Sequence, residues 1–146
     1  MSGVPVIVCG RRAVIASAVR EALSPDYEVI HVITSPEQGA SEIPLVLSGK
    51  QPPDSSENPG SQDYSRPAVA VVTGGGYDDA TFSNMKDACK AFPNVPWLRP
   101  DMSKMKDMPP GTDPKAYAKA SAARVKEMLD ELGVGRKKTD DGTYIY

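Results

Sequence analysis

Two short stretches carry the residue types that can do chemistry. Cys9-Gly10-Arg11-Arg12 sets a thiol, a glycine and two guanidinium groups in a row, and Thr73-Gly74-Gly75-Gly76-Tyr77-Asp78-Asp79 sets three glycines before an aromatic ring and two carboxylates. Glycine leaves backbone amides open to a ligand and reaches conformations closed to other residues. Amides at the entrance to a helix hold phosphate or carboxylate, and guanidinium adds paired hydrogen bonds. The chemistry expected is capture of an anion. Its expected ligand-binding residues are Gly10, Arg11, Arg12, Thr34, Gly74, Gly75, Gly76, Tyr77 and Arg99, with the Tyr77 ring free to stack on a ligand. Were the site catalytic, Cys9, Tyr77 or Asp78 would handle protons while the glycine-turn amides stabilised developing negative charge. The bland alternatives are a buried thiol at Cys9, a helix cap at Asp78 and solvated arginines.

Several known machineries are absent. A dinucleotide fingerprint wants small residues where Arg11, Arg12 and Ala13 stand, so only Gly10 of that motif is present. The triple-glycine turn lacks the lysine and hydroxyl of a phosphate loop that hydrolyses nucleoside triphosphates. No acid directly follows Ile33, where Thr34 and Ser35 stand, so of the dinucleotides NADP fits best, although Ser35 also suits a helix cap. One histidine, His31, and two dispersed cysteines, Cys9 and Cys89, make no metal set. A phosphoryl-accepting receiver domain needs acids where Cys9-Gly10 stands.

The elements that must position these residues follow from hydrophobic periodicity. Val4 to Cys9 is nearly all apolar and reads as a strand buried on both faces. From Arg12 the apolar residues recur at helical spacing until Ser24-Pro25, and Tyr27 to Ile33 reads as a second strand. Ser35-Pro36 starts a helix that Pro44 is expected to shorten or break before Gly49. Lys50 to Pro67, rich in proline and serine, reads as a flexible surface loop and a possible lid. Ala68 to Val72 is the third strand, a helix runs from near Asp78 to Pro93, and Val95 to Leu98 is a short strand placed at an edge by its proline. A loop bearing Met102, Met105 and Met108 leads to a last helix that opens at Asp113-Pro114, carries the stripe Tyr117, Ser121, Val125, Met128, Leu129, Leu132, and stops at Gly133. Residues 1–133 are thus one expected domain, and 134–146 a tail whose Thr143 to Tyr146 suits an edge strand. Right-handed crossovers turn this order into an α/β three-layer sandwich of the Rossmann-like kind, with mostly parallel strands in the order 2-1-3-4. Gly10 and Gly74 then face each other across the switch point between the first and third strands.

Length and composition agree with one domain. The chain has 146 residues, 40% hydrophobic and 25% charged, with a net charge of -2 and no basic stripe of the kind that grips nucleic acid. No charged-then-apolar leader or membrane-length apolar run is present, so a cytoplasmic location with reduced thiols is expected.

Val6-Ile-Val-Cys-Gly-Arg-Arg12, the Gly-Gly-Gly-Tyr-Asp-Asp turn and Val95-Pro-Trp-Leu-Arg-Pro-Asp101 together resemble a group of small fungal proteins with a Rossmann-like fold. That resemblance spans most of the chain and implies a fold, not a reaction. Leu98-Arg99-Pro100 is also similar to a stretch in NmrA-like regulators, atypical relatives of short-chain dehydrogenases. Tyr117, with Ser121 four places on, lacks the lysine of the dehydrogenase pair. The expected function is a module without a complete catalytic motif, acting through protein contacts or homodimerisation and taking a small anion or nucleotide. The alternative is a small enzyme for an anionic or carbonyl-bearing metabolite.

Overall fold

The computed structural model describes residues 3–53, 58–74, 76–101 and 113–146. Five strands, β1 (Val4–Cys9), β2 (Tyr27–Ile33), β3 (Val71–Thr73), β4 (Trp97–Arg99) and β5 (Thr143–Ile145), form one parallel sheet in the order β2-β1-β3-β4-β5. Helices α1 (Ala13–Leu23) and α4 (Pro114–Leu132) cover one face; α2 (Pro36–Leu47) and α3 (Asp79–Ala88) cover the other. This is the expected α/β sandwich, with the expected switch point between β1 and β3. Among the described residues no helix is long and apolar enough to cross a membrane.

Alternation along the strands divides the core. Val6, Val8, Val29, Val72 and Leu98 face α1 and α4, while Ile7, Cys9, Ile30, Ile33, Val71 and Trp97 face α2 and α3. Because both faces are covered, the strands read as unbroken apolar runs.

Four local expectations change. α2 runs unbroken through Pro44, which sits in its last turn; burial of Ile43, Val46 and Leu47 holds the helix despite the missing amide. β3 begins at Val71, not Ala68. α3 ends at Ala88, and a turn carries the chain on to Phe92, because Pro93 disfavours a helical residue before it. β4 is an interior strand: Pro96 lies just before it, where a missing donor breaks no ladder, and β5 pairs along its far side. The tail is therefore part of the sheet. Tyr146 is buried beyond β5 and donates its hydroxyl to the Thr73 carbonyl at 2.8 Å.

The stretch expected as a free loop is tied down where it is described. Ser61 and Gln62 donate backbone amides to Val29 and Ile30, and the Asn58 side chain bonds both the amide and the carbonyl of Val32, at 2.8 Å each. Residues 58–62 thus strap the open edge of β2, the kind of cover that keeps an edge from pairing with another chain. Residues 54–57 of that stretch lie outside the described residues.

Candidate functional site

The carboxyl ends of β1 and β3 meet as expected. Gly74 donates its amide to the Cys9 carbonyl and Gly10 donates to Ile33, both at 2.8 Å. Gly10-Arg11-Arg12 and the glycine turn therefore sit side by side.

The helix ends around this crevice are not alike. Ser35, Asp78 and Asp113 cap α2, α3 and α4 through their side chains. α1 has Arg12 at its cap position, makes no side-chain cap bond and has no acid in its first turn. Its leading amides and positive dipole end are left for solvent or a ligand. Arg11 and Arg12 are both exposed.

The arginines divide in their roles. Arg11 reaches across the crevice, donates its Nε to the Gly76 carbonyl at 2.9 Å and lies 5.0 Å from the Tyr77 ring centre. Arg99 pairs with Asp79 at 2.6 Å, donates to the Tyr77 carbonyl at 3.1 Å and lies 4.6 Å from the Phe82 ring centre. Both guanidinium groups brace the glycine turn. Arg99, Gly76 and Asp78 line an open cleft of about 390 Å³. Arg12 carries no such bracing bond and is the arginine most available to a ligand.

Other expected residues have structural duties. Tyr77 is buried, with its hydroxyl donated to the Ile33 carbonyl at 3.2 Å, so its ring is not free to stack on a ligand. Burial also pushes its phenol well above the usual range. Cys9 is fully buried; desolvation, with Cys89 nearby, drives its pKa far up, so it stays a neutral thiol and is a poor nucleophile. Asp78 accepts the Thr81 amide as a helix cap, and that bond holds its carboxyl below the usual value. Thr34 donates its amide and hydroxyl to Gln38 at the start of α2. Gly75 and the three methionines at 102, 105 and 108 lie outside the described residues.

Sequence reasoning named Ser121 only as part of the buried stripe of the last helix. It sits in the apolar stripe of α4, is buried, and lines a small cavity with Cys9, Gly10 and Gly74. A hydroxyl at a core position of an otherwise apolar stripe was the signal for it.

A second polar cluster lies on the other face. The pairing register slips between Val6 and Ile7, so β2 bulges and both Ile30 and His31 turn towards α2. His31 is buried, 2.7 Å from Glu42 through Nε2 and 2.7 Å from the Tyr64 hydroxyl through Nδ1. A carboxylate only accepts, so Nε2 carries the proton and Tyr64 donates to Nδ1. Burial lowers the His31 pKa, outweighing the opposing pull of Glu42. The unfolded chain therefore takes up this proton more readily than the folded one. The His31 contribution is fully present above an imidazole's usual pKa of about 6.5 and is lost as pH falls below it. Urea midpoints measured downwards from pH 7.5 should fall through this window in the native protein and fall less in His31→Gln. Equal slopes would contradict the assignment.

No protein-family model matches the sequence, and no solved structure matches it. Kojic acid related protein 6 of Aspergillus oryzae is 39% identical over 134 residues, which cover 90% of this chain and 79% of that protein. With identity of that degree over nine tenths of its length, the chain belongs to the same family as Kojic acid related protein 6.

Proposed function

We propose that the protein is a binding module that takes a small anion, or the phosphate of a nucleotide, at the carboxyl-end crevice between β1 and β3. The observation that carries this reading is the open amino end of α1, next to the exposed Arg12 and the glycine turn, in a molecule whose other three described helices are closed by side-chain caps. Binding is favoured over catalysis because each residue considered for proton handling has another duty: Cys9 packs the core, Tyr77 anchors the turn and Asp78 caps a helix.

A thermal-shift panel tests this reading. It comprises inorganic phosphate, ATP, FMN, coenzyme A, NADH and NADPH, together with kojic acid because the Aspergillus relative carries that name. A ligand at a hundred times its Kd stabilises by about 2.7 kcal/mol, which is easily seen as a rise in Tm. Arg12→Ala should weaken the response about ten-fold, the loss of one charge-assisted hydrogen bond. It is a cleaner probe than Arg11→Ala, which also unties the glycine turn. No response to any anion, or an unchanged response in Arg12→Ala, would count against the crevice.

A further inference from the structure

His31 is the only histidine of the chain, and it is fully buried. Three elements close it in. On β1 its ladder partner is Ile7, which is apolar. From α2, Glu42 faces Nε2, and Gln38 donates to the same Glu42 oxygen at 3.2 Å. From the strap, Tyr64 faces Nδ1, its ring 5.7 Å from the imidazole centre to centre. Among the described residues, Glu42 and Tyr64 are thus the titratable groups that face the ring. The covers differ in how firmly they are held. α2 buries Ile43, Val46 and Leu47 in the core. Residues 58–63 contribute no side chain to the hydrophobic core. Hydrogen bonds hold them: Ser61 and Gln62 to Val29 and Ile30, Asn58 to Val32, Arg20 to the Pro59 carbonyl and the Ser61 hydroxyl to Glu28. A segment with few apolar contacts is the one that opens first.

We propose that Tyr64, His31 and Glu42 form an acid-operated latch, in which uptake of a proton by His31 lifts residues 58–64 from the edge of β2 while the rest of the fold stays closed. Neutral His31 suits the closed strap, since it accepts the Tyr64 hydroxyl at Nδ1 and donates to Glu42 from Nε2. A proton on Nδ1 turns that acceptor into a donor, so the Tyr64 bond must reverse. It also places a full charge where water does not reach. Glu42 offsets part of that cost, but burial outweighs it and holds the imidazole below its usual pKa. The closed strap therefore binds this proton more weakly than the open one, and falling pH favours the open strap. Lifting it frees the carbonyls of Val29 and Ile30 and both backbone groups of Val32, through which another strand can be added to the sheet.

Hydrogen exchange at pH 7.5 and pH 5.5 tests the latch in a range where carboxylates stay ionised. An imidazole released into water has a pKa of about 6.5, so the open population should rise about ten-fold between the two conditions. Protection factors at the Ser61, Gln62 and Val32 amides should fall by that factor. They should depend only weakly on added urea, because strap opening exposes little surface. The β1 amides Val6 to Val8 should keep higher protection at both pH values and show the steep urea dependence of global unfolding. In His31→Gln, which cannot take up the proton, strap protection should stay level. An equal fall in His31→Gln would overturn the proposal. So would one steep urea dependence shared by strap and β1 amides, because the strap would then leave only when the domain unfolds. A further measurement needs no variant, since the ring signals of a lone histidine report its protonation directly. The ring should titrate below about 6.5, together with loss of strap protection. Titration near the usual value while the strap amides stay protected would mean that the charged imidazole fits beneath the closed strap, and would refute the latch.

Discussion

Trp97→Ala is expected to lower the unfolding free energy by about 3–5 kcal/mol, the range for deleting a fully buried aromatic side chain. Trp97 is 1% exposed and sits in the middle of the core on the α2 and α3 face. Its ring meets Phe82 edge-on, with centres 5.7 Å apart and planes at 89°. Deletion removes that aromatic pair, the buried apolar area and the packing beside Val71, its partner across the ladder, and the backbone of an interior strand cannot close the space. A domain of this size is held by about 5–15 kcal/mol in all, so the variant should stand near its folding threshold.

The consequence reaches the candidate site. Phe82 lies between Trp97 and the Arg99 guanidinium, which in turn holds Asp79 and the Tyr77 carbonyl. Loosening Phe82 should therefore loosen the glycine turn as well. Trp97→Phe keeps a ring in the same space and should lose less than half as much. Trp97 is the only tryptophan, so the comparison must be made by circular dichroism in urea. A Trp97→Ala protein within about 1 kcal/mol of the native one would mean that this part of the core is not packed as described, because core truncations of this kind exceed that value.

Which parts of the molecule were legible in advance follows from where the information lies. β1, α1 and β2 stand out because their apolar residues repeat with a single unambiguous period, and the sheet order follows from the handedness of crossovers. The meeting of Gly10 with Gly74 follows from that order. Tyr77 misleads because its neighbours are glycines and acids, the composition of an exposed turn. Only the tertiary structure shows the turn folding inward to bring the hydroxyl to Ile33. β4 misleads because Pro96 argues for an edge, whereas the ladder begins one residue later. Ser121 was hidden by its own helix: periodicity marks which face is buried and says nothing of an unfilled space within that face.

The strap on β2 was the least legible element, and it provides the second large effect. Gly60→Ala is expected to destabilise the protein by about 2–4 kcal/mol, the scale of breaking a buried hydrogen-bond network. A Cβ built on Gly60 would lie 2.6 Å from the carbonyl group of Ile30 and from the amide nitrogen of His31. These are backbone atoms of a paired strand and cannot step aside, so the strap must lift. Lifting it strains the bonds of Asn58 to Val32 and those of Ser61 and Gln62 to Val29 and Ile30. It also draws Tyr64 away from His31, leaving a buried ring nitrogen without its donor. Asn58→Ala removes the side-chain bonds alone and should lose about half as much. Such contacts leave no periodic mark: a strap made of backbone bonds and one asparagine has the composition of an ordinary flexible loop. Two measurements check the expectation together. Trp97 fluorescence in urea gives the loss of stability. Hydrogen exchange should show the Val32 amide, which Asn58 holds in the native protein, opening much faster in Gly60→Ala while the β1 amides Val6 to Val8 change only as far as global stability does. Native-like stability together with native-like protection at Val32 would mean that the strap does not seal this edge, and that β2 relies on β1 and α2 alone.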